Sequence, residues 1–255
     1  MKLFVSVIVT TYNRPDALAA VLQGLLAQTC LDFEIIIADD GSSAETQNLI
    51  EQFASKTAIR IKHVWHEDKG FRAAAIRNKA VLEAEYDYLL FIDGDCVPNR
   101  HFIAHHIQLA EKKHFVSGNR ILLSASFTET VLANKLPIFN YSILQWLKER
   151  IKNNCNRFTP CLKLNLGKLR YLKKGWQGAK TCNLGMWKTD FEQINGFNEN
   201  YEGWGFEDSD LAIRLLKNGV RRKDGRYATV VFHLWHPEND RSQEAKNWQQ
   251  LQRLL

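Results

Sequence analysis

Apolar and polar positions in the first hundred residues alternate between two kinds of segment. Short β-branched apolar runs at residues 4–9, 33–38, 59–64 and 88–92 read as buried strands. Between them, residues 17–27, 44–54 and 73–84 carry apolar side chains at helical spacing among strong helix formers. Asn13-Arg14-Pro15-Asp16 and Asp39-Asp40-Gly41-Ser42-Ser43 punctuate the pattern as turns. Strands this apolar cannot face water on either side. The alternation therefore predicts an α/β fold with a mostly parallel sheet covered by helices on both faces. In such sheets ligands bind beyond the carboxyl ends of the strands, where Thr11, Asp39, Asp40 and Asp93 fall.

The pattern changes after residue 119. Residues 127–147 read as a helix interrupted at Pro137, followed by a stretch rich in Asn, Gly and basic residues. This gives three regions of a single domain: 1–119, a helical basic insertion at 120–180, and 181–255. In the last region a short helix runs to Ile194, a helix at 211–216 stops at Asn218-Gly219, residues 227–234 form a strand, and residues 244–255 form an amphipathic helix.

At 255 residues, 45% apolar and 24% charged, the chain can bury a substantial core. Five cysteines without a Cys-x-x-Cys pair argue against a disulfide framework or a zinc site. No secretory leader pattern opens the sequence and no apolar run reaches membrane-span length, so a cytoplasmic protein is expected. The net charge of +6 is uneven: residues 148–180 hold ten Lys/Arg and one acid, a net +9, which leaves −3 on the rest. Such a segment attracts a lipid surface, a phosphorylated glycan or nucleic acid. Nucleic acid is disfavoured because no recognition motif accompanies the charge.

Two acidic clusters carry the chemistry. Asp93-Gly94-Asp95 follows the apolar strand at 88–92, and its two carboxylates can address a hydrated Mg²⁺ or Mn²⁺ and a neighbouring ribose. The second cluster, Gly203-Trp204-Gly205-Phe206-Glu207-Asp208-Ser209-Asp210, opens a helix.

Val7-Ile8-Val9-Thr10-Thr11-Tyr12-Asn13-Arg14, Asp39-Asp40-Gly41-Ser42, Arg77-Asn78 and Phe91-Ile92-Asp93-Gly94-Asp95 fall in this order over the first hundred residues. The set resembles the inverting glycosyltransferase family 2, which has the GT-A fold. The resemblance implies a UDP-sugar donor site formed by Thr10, Thr11, Tyr12, Arg14, Asp39, Asp40, Arg72, Arg77, Asp93, Gly94 and Asp95. The second cluster, with Gly196-Phe197-Asn198-Glu199 before it, resembles galactosyltransferase-like and chondroitin-polymerase-like enzymes. That implies Asp208 as general base, Glu207 orienting the sugar, Trp204 in the donor and acceptor platform, and Asn183 lining the pocket. Asp210 is expected to be structural. A histidine after the 227–234 strand would complete a metal shell with Asp95, and His233 and His236 are both eligible.

The expected reaction is metal-dependent inverting transfer, with Mn²⁺ or Mg²⁺, of a hexose or N-acetylhexosamine to a hydroxyl of a glycan or lipid-linked glycan. The acceptor class expected is a bacterial surface polysaccharide or lipopolysaccharide precursor, with contact to an anionic membrane through 148–180. A nucleotidyltransferase would need a Gly-rich loop and a Lys near the N-terminus, and Thr10-Thr11-Tyr12-Asn13-Arg14 offers neither. A non-catalytic glycan- or membrane-binding relative would have no need of Asp95 and Asp208.

Overall fold

The computed structural model describes residues 2–238 and 240–255. The first half follows the expected alternation: β1 (Val5–Thr11), α1 (Pro15–Leu26), β2 (Phe33–Asp39), α2 (Ala44–Ala54), β3 (Ile61–Trp65), α3 (Ala73–Leu82) and β4 (Tyr88–Asp93). Pro15 occupies the first turn of α1, where its missing N–H costs nothing. Then follow β5 (Cys96–Pro98), α4 (Phe102–Leu109), β6 (His114–Ser117), β7 (Asn119–Leu122), α5 (Ala125–Ala133) and α6 (Ile143–Ile151). The last region supplies β8 (Leu184–Trp187), α7 (Lys188–Gln193), α8 (Glu207–Lys217), β9 (Arg221–Asp224), β10 (Val230–His233) and α9 (Glu244–Gln252).

Seven strands form one sheet in the order β3-β2-β1-β4-β8-β6-β9. Only β8 runs against its neighbours. It enters from the last region of the chain and sits between β4 and β6, so the regions at 1–119 and 181–255 share a sheet. A second sheet, β5-β10-β7, lies beyond the end of β4. Side chains alternate across the large sheet. Val5, Val7, Val9, Ile35 and Ile37 pack on Leu18, Leu22 and Leu25 of α1. Ile8, Ile36, Leu89 and Phe91 face the other way, toward α3 and Leu211 and Leu215 of α8. Burial on both faces explains why the strands read as continuous apolar runs.

Several sequence boundaries move. Residues 127–147 form two helices, because Leu136 precedes proline and resists the helical backbone. Ser142 and Gln145 then start α6 as a reciprocal capping box. The strand expected at 227–234 shortens to Val230–His233. The elements β5, α4, β6, β7 and β9 are short and carry no clear periodicity. Among the described residues no helix is long and apolar enough to cross a membrane.

Candidate active site

Strand register assembles the site. Thr11 lies opposite Asp39 and Thr10 opposite Asp93, so three strand ends converge within one residue. Asp39 is buried; its carboxylate accepts the Ser42 amide at 2.8 Å and stands 2.9 Å from His63 Nε2. Asp40 accepts the Arg72 amide at 2.8 Å and lies 2.6 Å from His66 Nε2. Burial pushes the Asp40 carboxyl up, against the pull of His66 and the Arg72 amide. His63 and His66 carry no motif in the sequence. They reach these acids because β3 pairs beside β2.

The loop after β1 faces solvent. Tyr12 is 47% exposed and donates its hydroxyl to Asp68 at 2.8 Å. Arg14 pairs with Asp16 at 3.3 Å. Thr11 is buried and its Oγ1 has no hydrogen-bond partner. Gly41 has φ +96°, and a Cβ there would sit 2.6 Å from Asp68 Cα. The close approach of these two loops therefore requires glycine.

Gly94 is required for a related reason. Its amide donates to the Thr10 carbonyl at 2.7 Å, and a Cβ would meet that oxygen at 2.9 Å. The tight turn separates two carboxylates with different surroundings. Asp93 faces Arg77, 3.1 Å from its Nη2, and desolvation holds its carboxyl above the ordinary range. Asp95 faces the end of β10, which is placed there by the pairing of Cys96 with His233. Its Oδ2 is 3.4 Å from His236 Nε2 and its Oδ1 is 3.7 Å from His233 Nε2.

Asp95 Oδ1 is buried without a hydrogen bond, a costly arrangement that a cation would relieve. Burial lowers the His233 pKa, against the pull of Asp95. His236 Nδ1 lies 2.6 Å from the Pro237 carbonyl. A carbonyl only accepts, so Nδ1 carries a proton, and Nε2 is the ring atom directed at Asp95. One carboxylate and two imidazoles form a donor set suited to Mn²⁺. Both histidines reach Asp95, as the sequence left open.

Arg77 connects the clusters. Although it lies on α3 it is not a surface charge: its side chain is 5% exposed. It donates to Thr10 Oγ1 at 2.9 Å, Asp93 at 3.1 Å and Glu207 at 3.1 Å. Glu207 and Asp208 open α8 after Phe206, whose φ of +73° is strained for a bulky side chain. Glu207 has Arg77 as its ion-pair partner. Among the described residues, Asp208 has only the Ser209 hydroxyl, at 3.4 Å. Burial and the adjacent Glu207 carboxylate push Asp208 up to about 6, opposed by Lys180 and Arg77. Asp210 bonds Arg214, which also donates to the Ile194 and Gly196 carbonyls, so it anchors the helix.

The turn before α8 is braced from the C-terminus. Buried Asn247 on α9 donates to the Glu202 carbonyl at 3.0 Å and approaches that of Trp204 at 3.4 Å. Arg241 lies over the Trp204 ring at 4.6 Å, and Phe206 packs on Trp248. Asn183, expected to line the pocket, is instead buried. Its amide donates to the Asn119 and Thr229 carbonyls and faces His106, joining β7, β8 and β10. Motif position does not report this packing, which gives the side chain a structural task.

The glycosyl transferase family 2 profile matches residues 6–168, and the profile described as the N-terminal domain of galactosyltransferase matches residues 164–236. Chondroitin synthase of Escherichia coli is 28% identical over 235 residues, covering 84% of this chain and 32% of that protein. The chain spans about a third or less of the length of the first curated relatives it matches. Among solved structures, S. aureus TarS 1-349 in complex with UDP has a TM-score of 0.64 at 15% identity, covering 99% of this chain and 64% of that one. Mannosyltransferase PcManGT from Pyrobaculum calidifontis, in complex with GDP-Man and Mn2+, has a TM-score of 0.63 at 17% identity, covering 92% and 57%. At such identities the likeness is one of fold, the GT-A fold. The first profile covers well over half of the sequence and includes the converging strand ends: this chain belongs to glycosyl transferase family 2.

Proposed function

We propose that this chain transfers a hexose or N-acetylhexosamine from a UDP-sugar to a hydroxyl of a glycan acceptor, with inversion at the anomeric carbon. The observation that carries this reading is the contrast between two adjacent acids. Glu207 is neutralised by Arg77, while Asp208, with no hydrogen-bonded cation among the described residues, has a pKa of about 6. Adjacent carboxylates with such different partners can take different roles. Asp208 can accept the proton of an attacking hydroxyl near neutral pH. Glu207 and Arg77 fix the start of α8, which sets where Asp208 stands.

The donor lies across the strand ends in this proposal. Tyr12 offers its exposed ring to the base, while Thr10, Thr11, Arg14, Asp39, Asp40 and Arg72 frame the nucleoside and diphosphate. Trp204, held from behind by Arg241, forms the platform for the sugars. Asp95, His233 and His236 would hold Mn²⁺ or Mg²⁺, and such an ion supplies Lewis-acid stabilisation of charge on the departing diphosphate. A complex of one fold neighbour with UDP and of another with Mn2+ supports these assignments. Likeness to chondroitin synthase supports a polysaccharide acceptor, and likeness to a diphosphoundecaprenol glucosyltransferase of Escherichia coli supports a lipid-linked one. We place the reaction on the cytoplasmic side of an anionic membrane.

The test is a nucleotide-release screen with Mn²⁺ across UDP-Glc, UDP-Gal, UDP-GlcNAc and UDP-GalNAc, with GDP-Man as the comparison donor. Metal-dependent release from a UDP-sugar is expected. Turnover of GDP-Man alone would overturn the donor assignment, and no turnover of any donor by chain that binds UDP would overturn the reading.

A further inference from the structure

Residues 144–172 combine two properties that protein surfaces usually keep apart. Eight of the eighteen exposed large hydrophobic side chains among the described residues lie there, within the most basic part of the sequence. On α6, Trp146 turns inward and stacks on Phe232, with ring centroids 4.2 Å apart. Leu144, Leu147 and Ile151 turn outward, 66%, 37% and 73% exposed. Their spacing makes one apolar stripe, bordered by exposed Lys148 and Lys152.

Exposed apolar side chains recur in the loops that follow. A cleft of about 450 Å³ joins the start of α6 to residues 161–163, with Phe139, Ile143 and Leu162 beside Arg100, His101 and Lys163. Further on, Leu169 and Leu172 are exposed while Arg170 between them is buried. Arg170 donates to the carbonyls of Asp224 and Arg226 at 2.6 and 3.1 Å. Arg222 likewise donates to those of Gly175 and Gln177, both at 2.8 Å. These bonds fasten the segment to the body of the protein and leave its leucines directed at solvent.

Leucines alone would fit an apolar protein partner, and lysines alone a soluble polyanion. Interleaved along one helix that Trp146 anchors, they match a lipid interface. Apolar tips enter the acyl boundary, lysine stems run along it, and ammonium groups meet anionic headgroups. We propose that this face docks in the plane of an anionic bilayer through Leu144, Leu147 and Ile151 and the basic residues around them. The proposal names the partner of the membrane-side reading above, and its measurement requires no turnover. Trp146 backs Phe232, the neighbour of His233, so the docked helix also supports the strand that ends in His233.

The experiment is co-sedimentation of the whole chain with phosphatidylcholine vesicles, with and without phosphatidylglycerol. Wild type should partition to the anionic vesicles and remain in solution with the neutral ones. The Leu144→Glu/Ile151→Glu variant should partition at least about tenfold less, with nucleotide release from soluble donor unchanged. Lys148→Glu/Lys152→Glu should weaken binding and reduce its salt dependence. Wild type that stays in solution with anionic vesicles would overturn the proposal. Equal binding by the Leu144→Glu/Ile151→Glu variant would also overturn it, and would assign the face to a soluble polyanion.

Discussion

Arg77 and Glu207 are 130 residues apart in the chain and 3.1 Å apart in the fold. The same guanidinium reaches Asp93 and Thr10, so one buried cation binds the first strand, the fourth strand and the eighth helix. Asp93 and the start of α8 are thereby held in fixed relation.

Removing that cation leaves two carboxylates without their partner. Arg77→Ala should cost about 3–5 kcal/mol, the usual result of breaking a buried pair from one side. Arg77→Lys should recover only part, because an ammonium lacks the planar fork that serves three acceptors. Chemical denaturation measures both. An Arg77→Ala protein as stable as wild type would show that the tie contributes nothing.

Asp208→Asn should lower turnover by about 10²–10⁴-fold, the usual contribution of a positioned base. UDP binding should persist, because no donor-side residue changes. Calorimetric titration with UDP beside a turnover assay separates the two effects, and loss of UDP binding in this variant would place Asp208 on the donor.

The same carboxyl sets a pH dependence. It must be ionised to accept a proton, so with a pKa of about 6 the rate should fall roughly tenfold per unit below that value. Its folded pKa exceeds that of an unfolded aspartate, about 4. The folded chain therefore binds this proton more tightly, and the ionised group is destabilising above pH 6. Asp208→Asn should raise Tm at neutral pH, and the gain should fade as pH falls toward 4. A constant difference in Tm across that window would contradict the assignment.

Asp95→Ala should abolish metal-dependent UDP binding, since it removes the carboxylate that both histidines reach. His233→Ala and His236→Ala, titrated separately with Mn²⁺, should rank the two imidazoles. Unchanged Mn²⁺ affinity in all three variants would place the metal elsewhere.

Asn247 touches no reacting group in this arrangement, yet its amide holds the carbonyl of Glu202 just before the strained turn. Asn247→Ala should cost about 1–3 kcal/mol through the unsatisfied carbonyl. It should lower kcat more than it changes KM for the donor, because the turn carries α8 and Asp208. A loss of stability with kcat intact would leave Asn247 a merely structural brace.

Local pattern was enough to read the nucleotide half. Continuous β-branched runs mark buried strands, and a parallel sheet gathers their carboxyl ends, so Asp39, Asp40 and Asp93 could be located before any coordinates. The aromatic-acidic turn before α8 was legible for a similar reason, since glycines and acids at a helix start reflect short-range backbone and dipole demands. Periodicity says nothing, however, about β8 entering between β4 and β6, or about β10 bringing two histidines to Asp95. The partners of Arg77, the support of Asp39 and Asp40 by His63 and His66, and the burial of Asn183 were decided only in the folded chain. Each depends on groups far apart in sequence meeting inside protein, where the surroundings determine which charges are neutralised and which remain free to take a proton.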